Sequence, residues 1–187
     1  MSELKNKNPW QTLSSRVIYD NPWIGVREDQ VIRPDGQKGI YGVVHFKNIA
    51  IGILAIDKEG RVHLVGQHRY PLDQYSWEIP EGGCPASEEP LAAAKRELVE
   101  ETGLQAREWT QLGEAHLSNS VSDEKAIWFL ARDLVQGEAR PDGSEVIETK
   151  CVSLEEALQM IERREITDAL TLIGLFHYAR LTNGGSH

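Results

Sequence analysis

The chain predicts an α/β fold in which a mixed β-sheet is sandwiched between helices, with an antiparallel β extension at the N-terminus. Three features carry this expectation. Strand-like segments separated by turn residues run from 23 to 68, a capped amphipathic helix follows residue 87, and two further helical patterns close the chain. A length of 187 residues fits one domain and a modest extension, expected here as 1–46 and 47–187.

The elements follow in order. Residues 23–33 read as a strand ending at the turn Pro34-Asp35-Gly36, and 39–46 as its hairpin partner. Residues 49–56 are nearly all apolar, as a strand buried on both faces requires. The turn Asp57-Lys58-Glu59-Gly60 leads into a strand over 61–68, and more strands are expected near 109–117, 125–132 and 145–152. Ser153-Leu154-Glu155-Glu156 has capping-box order and opens a helix with Leu154, Ala157, Leu158 and Ile161 on one face. A final helix starts near Thr167-Asp168, where Asp168 suits the helix start, and ends before Asn183-Gly184-Gly185.

Composition excludes several classes. A hydrophobic content of 40% and a charged content of 26% are ordinary for a globular protein. A net charge of −9 argues against nonspecific nucleic-acid binding, which needs a basic surface. No apolar run approaches a membrane-spanning length, and the polar start has no signal-peptide core. Two cysteines, Cys84 and Cys151, make no disulfide framework, so a cytoplasmic location is expected. The six histidines are scattered without metal-ligand spacing and receive no role.

The chemistry concentrates after Gly82. Gly82-Gly83 is followed by Glu88, then by Arg96-Glu97-Leu98-Val99-Glu100-Glu101-Thr102-Gly103-Leu104. Leu91, Ala94 and Leu98 recur as an apolar stripe, Ser87 is the expected N-cap, Pro90 suits the first turn, and Gly103 suits a left-handed C-cap. Glu97 and Glu101 then lie on one face, about 6 Å apart along the axis, with Glu100 beside them. Such carboxylates repel one another unless a cation sits between them, and oxygen-only ligands suit Mg²⁺ or Mn²⁺. Over residues 78–101, seven glutamates oppose only Lys95 and Arg96, so a diphosphate needs a metal to approach. The bland alternative is a solvated acidic helix with Arg96 paired to Glu100.

This spacing resembles the Nudix box, the signature of hydrolases that cleave nucleoside diphosphates linked to another moiety. Val65-Gly66-Gln67-His68-Arg69-Tyr70 and Ser76-Trp77-Glu78-Ile79-Pro80-Glu81-Gly82-Gly83 resemble the ADP-sugar and nucleotide-sugar pyrophosphatase branch of that family. The resemblance runs from about Trp10 to Leu181 and implies the Nudix fold and a homodimer with exchanged N-terminal strands. It also implies hydrolysis of nucleotide sugars, ADP-ribose or GDP-mannose among them, to a nucleoside monophosphate and a sugar phosphate. The segment Leu117-Ser118-Asn119-Ser120-Val121-Ser122-Asp123-Glu124 lacks the proline usual in ADP-ribose pyrophosphatases, which leaves other nucleotide sugars open. A silent module that senses a nucleotide ligand is the competing reading.

The resemblance also implies site roles. Metal ligands are expected at Glu97 and Glu101, with Glu100 assisting and the carbonyl of Glu81. Arg96 orients a box carboxylate, and Arg69 either grips phosphate or serves a surface role. The general base is expected at Glu145, with Glu148 as runner-up, in the Pro- and Gly-containing segment 137–148. Ser120 is expected near the terminal sugar. Trp23, Trp77 and Tyr70 are candidates for stacking on the base, with Trp77 read rather as core.

Overall fold

The computed structural model describes residues 7–137 and 146–183. Their contacts divide into two units: residues up to Asn48 together with Ser118–Glu124, and Ile49–Leu117 together with the residues from Lys125 onward.

The first unit is an antiparallel meander of β1 (Gln11–Asp20), β2 (Ile24–Ile32) and β3 (Lys38–Phe46). The Pro34-Asp35-Gly36 turn behaves as expected, with Gly36 at φ 80°, a left-handed conformation that glycine adopts without steric cost. β1 adds a strand ahead of the expected pair. All ten of its residues are exposed, so burial periodicity never marked it. Residues 118–124 lie along β3: Val44 N–H donates to Val121 O, and Asp123 N–H donates to Val44 O. The His45 and Asp123 side chains pair at 2.5 Å.

The second unit is layered. Its middle sheet has the order β7 (Glu81–Pro85), β4 (Asn48–Ala55), β9 (Lys125–Gln136), β8 (Leu104–His116). β4 runs parallel to β9 and sends Ile51, Ile53 and Ala55 to one face and Leu54 to the other. That alternation is why its sequence is apolar throughout. On the first face lies α1 (Pro90–Thr102), through Ala93, Ala94 and Leu98. Against the other face pack α2 (Leu154–Glu162), α3 (Ala169–Asn183) and a second sheet of order β10 (Glu148–Val152), β5 (Val62–Arg69), β6 (Gln74–Glu78). The chain therefore has the expected α/β class.

Several local expectations are corrected. α1 starts on Glu89 rather than Ser87, because Pro90 holds the first turn and no side chain caps it. Leu91 points to solvent at 38% exposure, and the buried side is Ala93, Ala94, Leu98 and Glu101. β6 and β7 were not anticipated, being five residues each and rich in polar or glycine positions. β8 starts at Leu104, directly after the helix, and β10 is described from Glu148. The Gly103 C-cap stands at φ 70°, and Ser153 Oγ accepts from Glu156 N–H at 3.1 Å, both as expected. Asp168 Oδ2 accepts from Thr171 N–H at 2.7 Å, the helix-start contact read from the sequence. No helix among the described residues is long and apolar enough to cross a membrane.

Candidate active site

The box folds as a strand, a turn and a helix, so its carboxylates are placed by backbone rather than by chance side-chain encounters. β7 carries Glu81-Gly82-Gly83 beside α1, which carries Arg96, Glu97, Glu100 and Glu101. A Cβ on Gly82 would overlap the Glu97 carboxylate, so only glycine lets that group lie against the strand. On the next turn of α1, Glu101 Oε2 accepts from the backbone N–H of Glu81 at 3.0 Å. Glu101 is only 5% exposed, and the helical period that buries Leu98 buries this carboxylate too.

Arg96 organises the other acids. Its guanidinium donates to Glu88 (2.8 Å), Glu97 (2.6 Å), Glu100 (3.0 Å) and the carbonyl of Gly83 (2.9 Å). The hydrogen bond from Arg96 holds the Glu88 carboxyl below its usual range, and that same contact leads in raising the arginine's own pKa. Arg96 therefore meets box carboxylates, Glu100 four residues along the same helix among them.

A second arginine serves a second carboxylate pair. Arg69, at the end of β5, reaches Glu78 through a fork of Nε and Nη2, and reaches Glu81 at 2.6 Å. Glu78 is 2% exposed. These residues line a cavity of about 300 Å³ with Leu72, Thr167 and Asp168. Burial, then the like charges of Asp168 and Glu78, raise the Glu81 carboxyl well above its ordinary value, outweighing the pull of Arg69.

Glu97, Glu100 and Glu101, with the Glu81 carbonyl on the neighbouring strand, offer oxygen donors only, a set that fits a hard divalent ion such as Mg²⁺ or Mn²⁺.

The sequence also named residues outside the box. Glu145 falls outside the described residues. Glu148 opens β10 opposite Gly66, exposed, and hydrogen-bonds the Tyr75 hydroxyl. Trp23 and Ser120 belong to the first unit. Trp23 is largely exposed, and the backbone carbonyl of Ser120 accepts from the Tyr41 hydroxyl at 2.6 Å. Trp77 packs against the core, and Tyr70 is almost wholly exposed. Cys84 and Cys151 are both free thiols. One grouping was missed: His63, Cys151 and Asp57 converge. Their separation along the chain hid it.

Family comparison agrees with this geometry. Residues 46–170 match the NUDIX domain model, and residues 10–44 match the nucleoside diphosphate sugar hydrolase N-terminal domain. The chain belongs to the NUDIX domain family, and it is a hydrolase of that family. Among its relatives is an ADP-ribose pyrophosphatase of Bacillus subtilis (strain 168), 34% identical, spanning 86% of this chain and 88% of the relative. A second ADP-ribose pyrophosphatase, from Mycobacterium tuberculosis (strain ATCC 25618 / H37Rv), is 31% identical over 95% of this chain and 87% of its own. A methanol dehydrogenase activator from Bacillus methanolicus is 30% identical over 95% of this chain and 96% of its own. A crystal structure of an ADP compounds hydrolase superposes with a TM-score of 0.85 at 20% identity, covering 95% of this chain and 96% of that one, and so shares the fold.

Proposed function

We propose that the protein cleaves the diphosphate of nucleoside diphosphate sugars, ADP-ribose foremost and GDP-mannose or related compounds beside it, in a reaction that requires a divalent metal. The observation that carries this reading is the placement of Glu97 and Glu101 against the Glu81-Gly82 strand, with Arg96 holding Glu97 and Glu100. Two relatives that bear the name ADP-ribose pyrophosphatase, aligned over most of this chain, support the substrate class.

Glu97, Glu101, Glu100 and the Glu81 carbonyl would hold Mg²⁺ or Mn²⁺. The ion, when bound, neutralises the diphosphate and lowers the pKa of a coordinated water. Arg96 keeps Glu97 and Glu100 aimed, while Arg69, pre-set by Glu78 and Glu81, meets a phosphate oxygen. Glu145 takes the proton of the attacking water, with Glu148 as the alternative base. The water oxygen bonds to one phosphorus as the bridging P–O bond breaks, releasing a nucleoside monophosphate and a sugar phosphate. Trp23 stacks on the base, and Ser120 faces the terminal sugar.

Residues 1–46 form the extension of a homodimer, with N-terminal strands exchanged between subunits, and residues 47–187 form the hydrolase domain. The support is the edge strand β1, which exposes Leu13, Val17, Ile18 and Tyr19 and, among the described residues, pairs on one side only. A cytoplasmic location accords with the two free thiols.

Turnover of ADP-ribose, GDP-mannose and UDP-glucose with Mg²⁺ tests the reading. Monophosphate release is expected, lost on chelation and in a Glu97→Gln/Glu101→Gln double variant. Tight nucleotide binding without any turnover would instead establish a ligand sensor. A further expectation is that Glu145→Gln lowers kcat by about two orders of magnitude while metal binding is kept. If Glu148→Gln does so instead, the base is Glu148.

A further inference from the structure

The three side chains that converge outside the box have a different donor chemistry. Asp57 closes the strand β4 at its turn, His63 lies on β5, and Cys151 lies on β10 directly opposite His63 in the antiparallel register. Partners across a sheet project to the same face, so thiol and imidazole meet by construction. Cys151 Sγ stands 3.6 Å from His63 Nε2 and 3.6 Å from Asp57 Oδ2, and all three donor atoms lie within 4.8 Å of one another. We propose that Asp57, His63 and Cys151 form a second metal site, taking a borderline-soft divalent ion of the zinc type, with one coordination position open to the adjoining cavity.

The dimensions fit. In a tetrahedral zinc site with Zn–S near 2.3 Å and Zn–N near 2.0 Å, sulfur and nitrogen stand about 3.5 Å apart. The carboxylate is already aimed: Asp57 Oδ1 accepts from the N–H groups of Glu59 (3.0 Å) and Arg61 (2.8 Å), and Oδ2 accepts from Arg61 Nε at 2.7 Å. Hydrogen bonds of this kind orient ligands and are part of a metal site's affinity. All three side chains are half-buried, and they line one wall of a cavity of about 830 Å³ with Arg61, Arg132 and Tyr178. None of Glu81, Glu97, Glu100 or Glu101 lines that cavity. Three protein ligands and an accessible fourth position describe an open zinc site rather than a closed structural one. The ion displaces the Cys151 thiol proton, which passes to solvent as the sulfur–metal bond forms. Sulfur and imidazole donors select against Mg²⁺, so the two sites sort different metals. This inference does not depend on the hydrolase reading.

Cobalt(II) is the probe, added to the chelator-stripped full-length protein. One equivalent is expected to bind with a near-ultraviolet thiolate-to-cobalt charge-transfer band and four-coordinate visible bands. Excess Mg²⁺ should leave them, and one equivalent of Zn²⁺ should abolish them. Cys151→Ser should lose the charge-transfer band, His63→Ala should weaken binding at least about tenfold, and Cys84→Ser should retain both. In the wild type, Zn²⁺ should slow alkylation of Cys151, read by peptide mass, which keeps the test valid if a variant fails to fold. Absence of the band, its survival in Cys151→Ser, or unchanged alkylation with Zn²⁺ would each overturn the site.

Discussion

Arg96 and Arg69 both gather carboxylates in the second unit, yet they work in opposite settings. Arg96 spreads its donors over Glu88, Glu97, Glu100 and a backbone carbonyl, and its partners keep part of their surface in water. Arg69 forks onto Glu78, which is almost fully buried, and also donates to Glu81. A partly solvated network loses little when one contact goes, because water replaces it. A buried carboxylate has no such replacement. Arg96 is thus expected to matter most for arranging the site, and Arg69 for the stability of the wall on which the site is built.

The largest expected effect is on stability. Arg69→Ala should cost about 3 kcal/mol, because it leaves Glu78 buried without its cation. For a chain of this size that lowers Tm by roughly 6–12 °C, as calorimetry would read. A change of a degree or less would mean the Glu78 charge is satisfied otherwise. Next, Arg96→Ala should lower kcat/KM on the best nucleotide sugar by about 10–100-fold, the usual cost of losing a partner that orients metal ligands, with a smaller fall in Tm than Arg69→Ala. If the two variants swap these signatures, the contrast drawn between the arginines fails.

The smallest effect concerns Glu81. Its carboxyl is raised in the folded state by burial and by Asp168 and Glu78, whereas the unfolded chain has the ordinary value of 4.5. Below that value both states are protonated and no penalty applies. As pH rises through the folded-state value, the fold bears the cost of ionising a buried acid and loses stability relative to the unfolded chain. Glu81→Gln escapes this cost. With divalent ions chelated, its Tm advantage over wild type should be absent near about pH 4 and emerge as the pH is raised towards about 8. An advantage that is equal at both pH values, or that reverses, would show Arg69 to dominate.

The contrast between the arginines also separates what local spacing reveals from what it hides. Arg96 meets Glu100 four residues along one helix, a contact that helical geometry alone predicts. Arg69 meets Glu78 across the β5–β6 hairpin, and β6 has no hydrophobic alternation to announce it, so its contact with a buried acid was not legible in the sequence. His63 and Cys151 lie 88 residues apart and meet only because β10 returns to pair with β5. Spacing along the chain carries no trace of that register.

From the order of its residues alone, this protein's box helix, its Gly103 and Ser153 caps, the buried strand β4 and the family follow, because each depends on contacts within a few residues. Tertiary structure decided which side of the box helix is buried, turning Leu91 outward and Glu101 inward. It also decided that Glu97 fits against Gly82, and that Asp57, His63 and Cys151 share one wall. Burial and convergence depend on what lies opposite a residue, and strand pairing and sheet packing supply that only once the chain has folded.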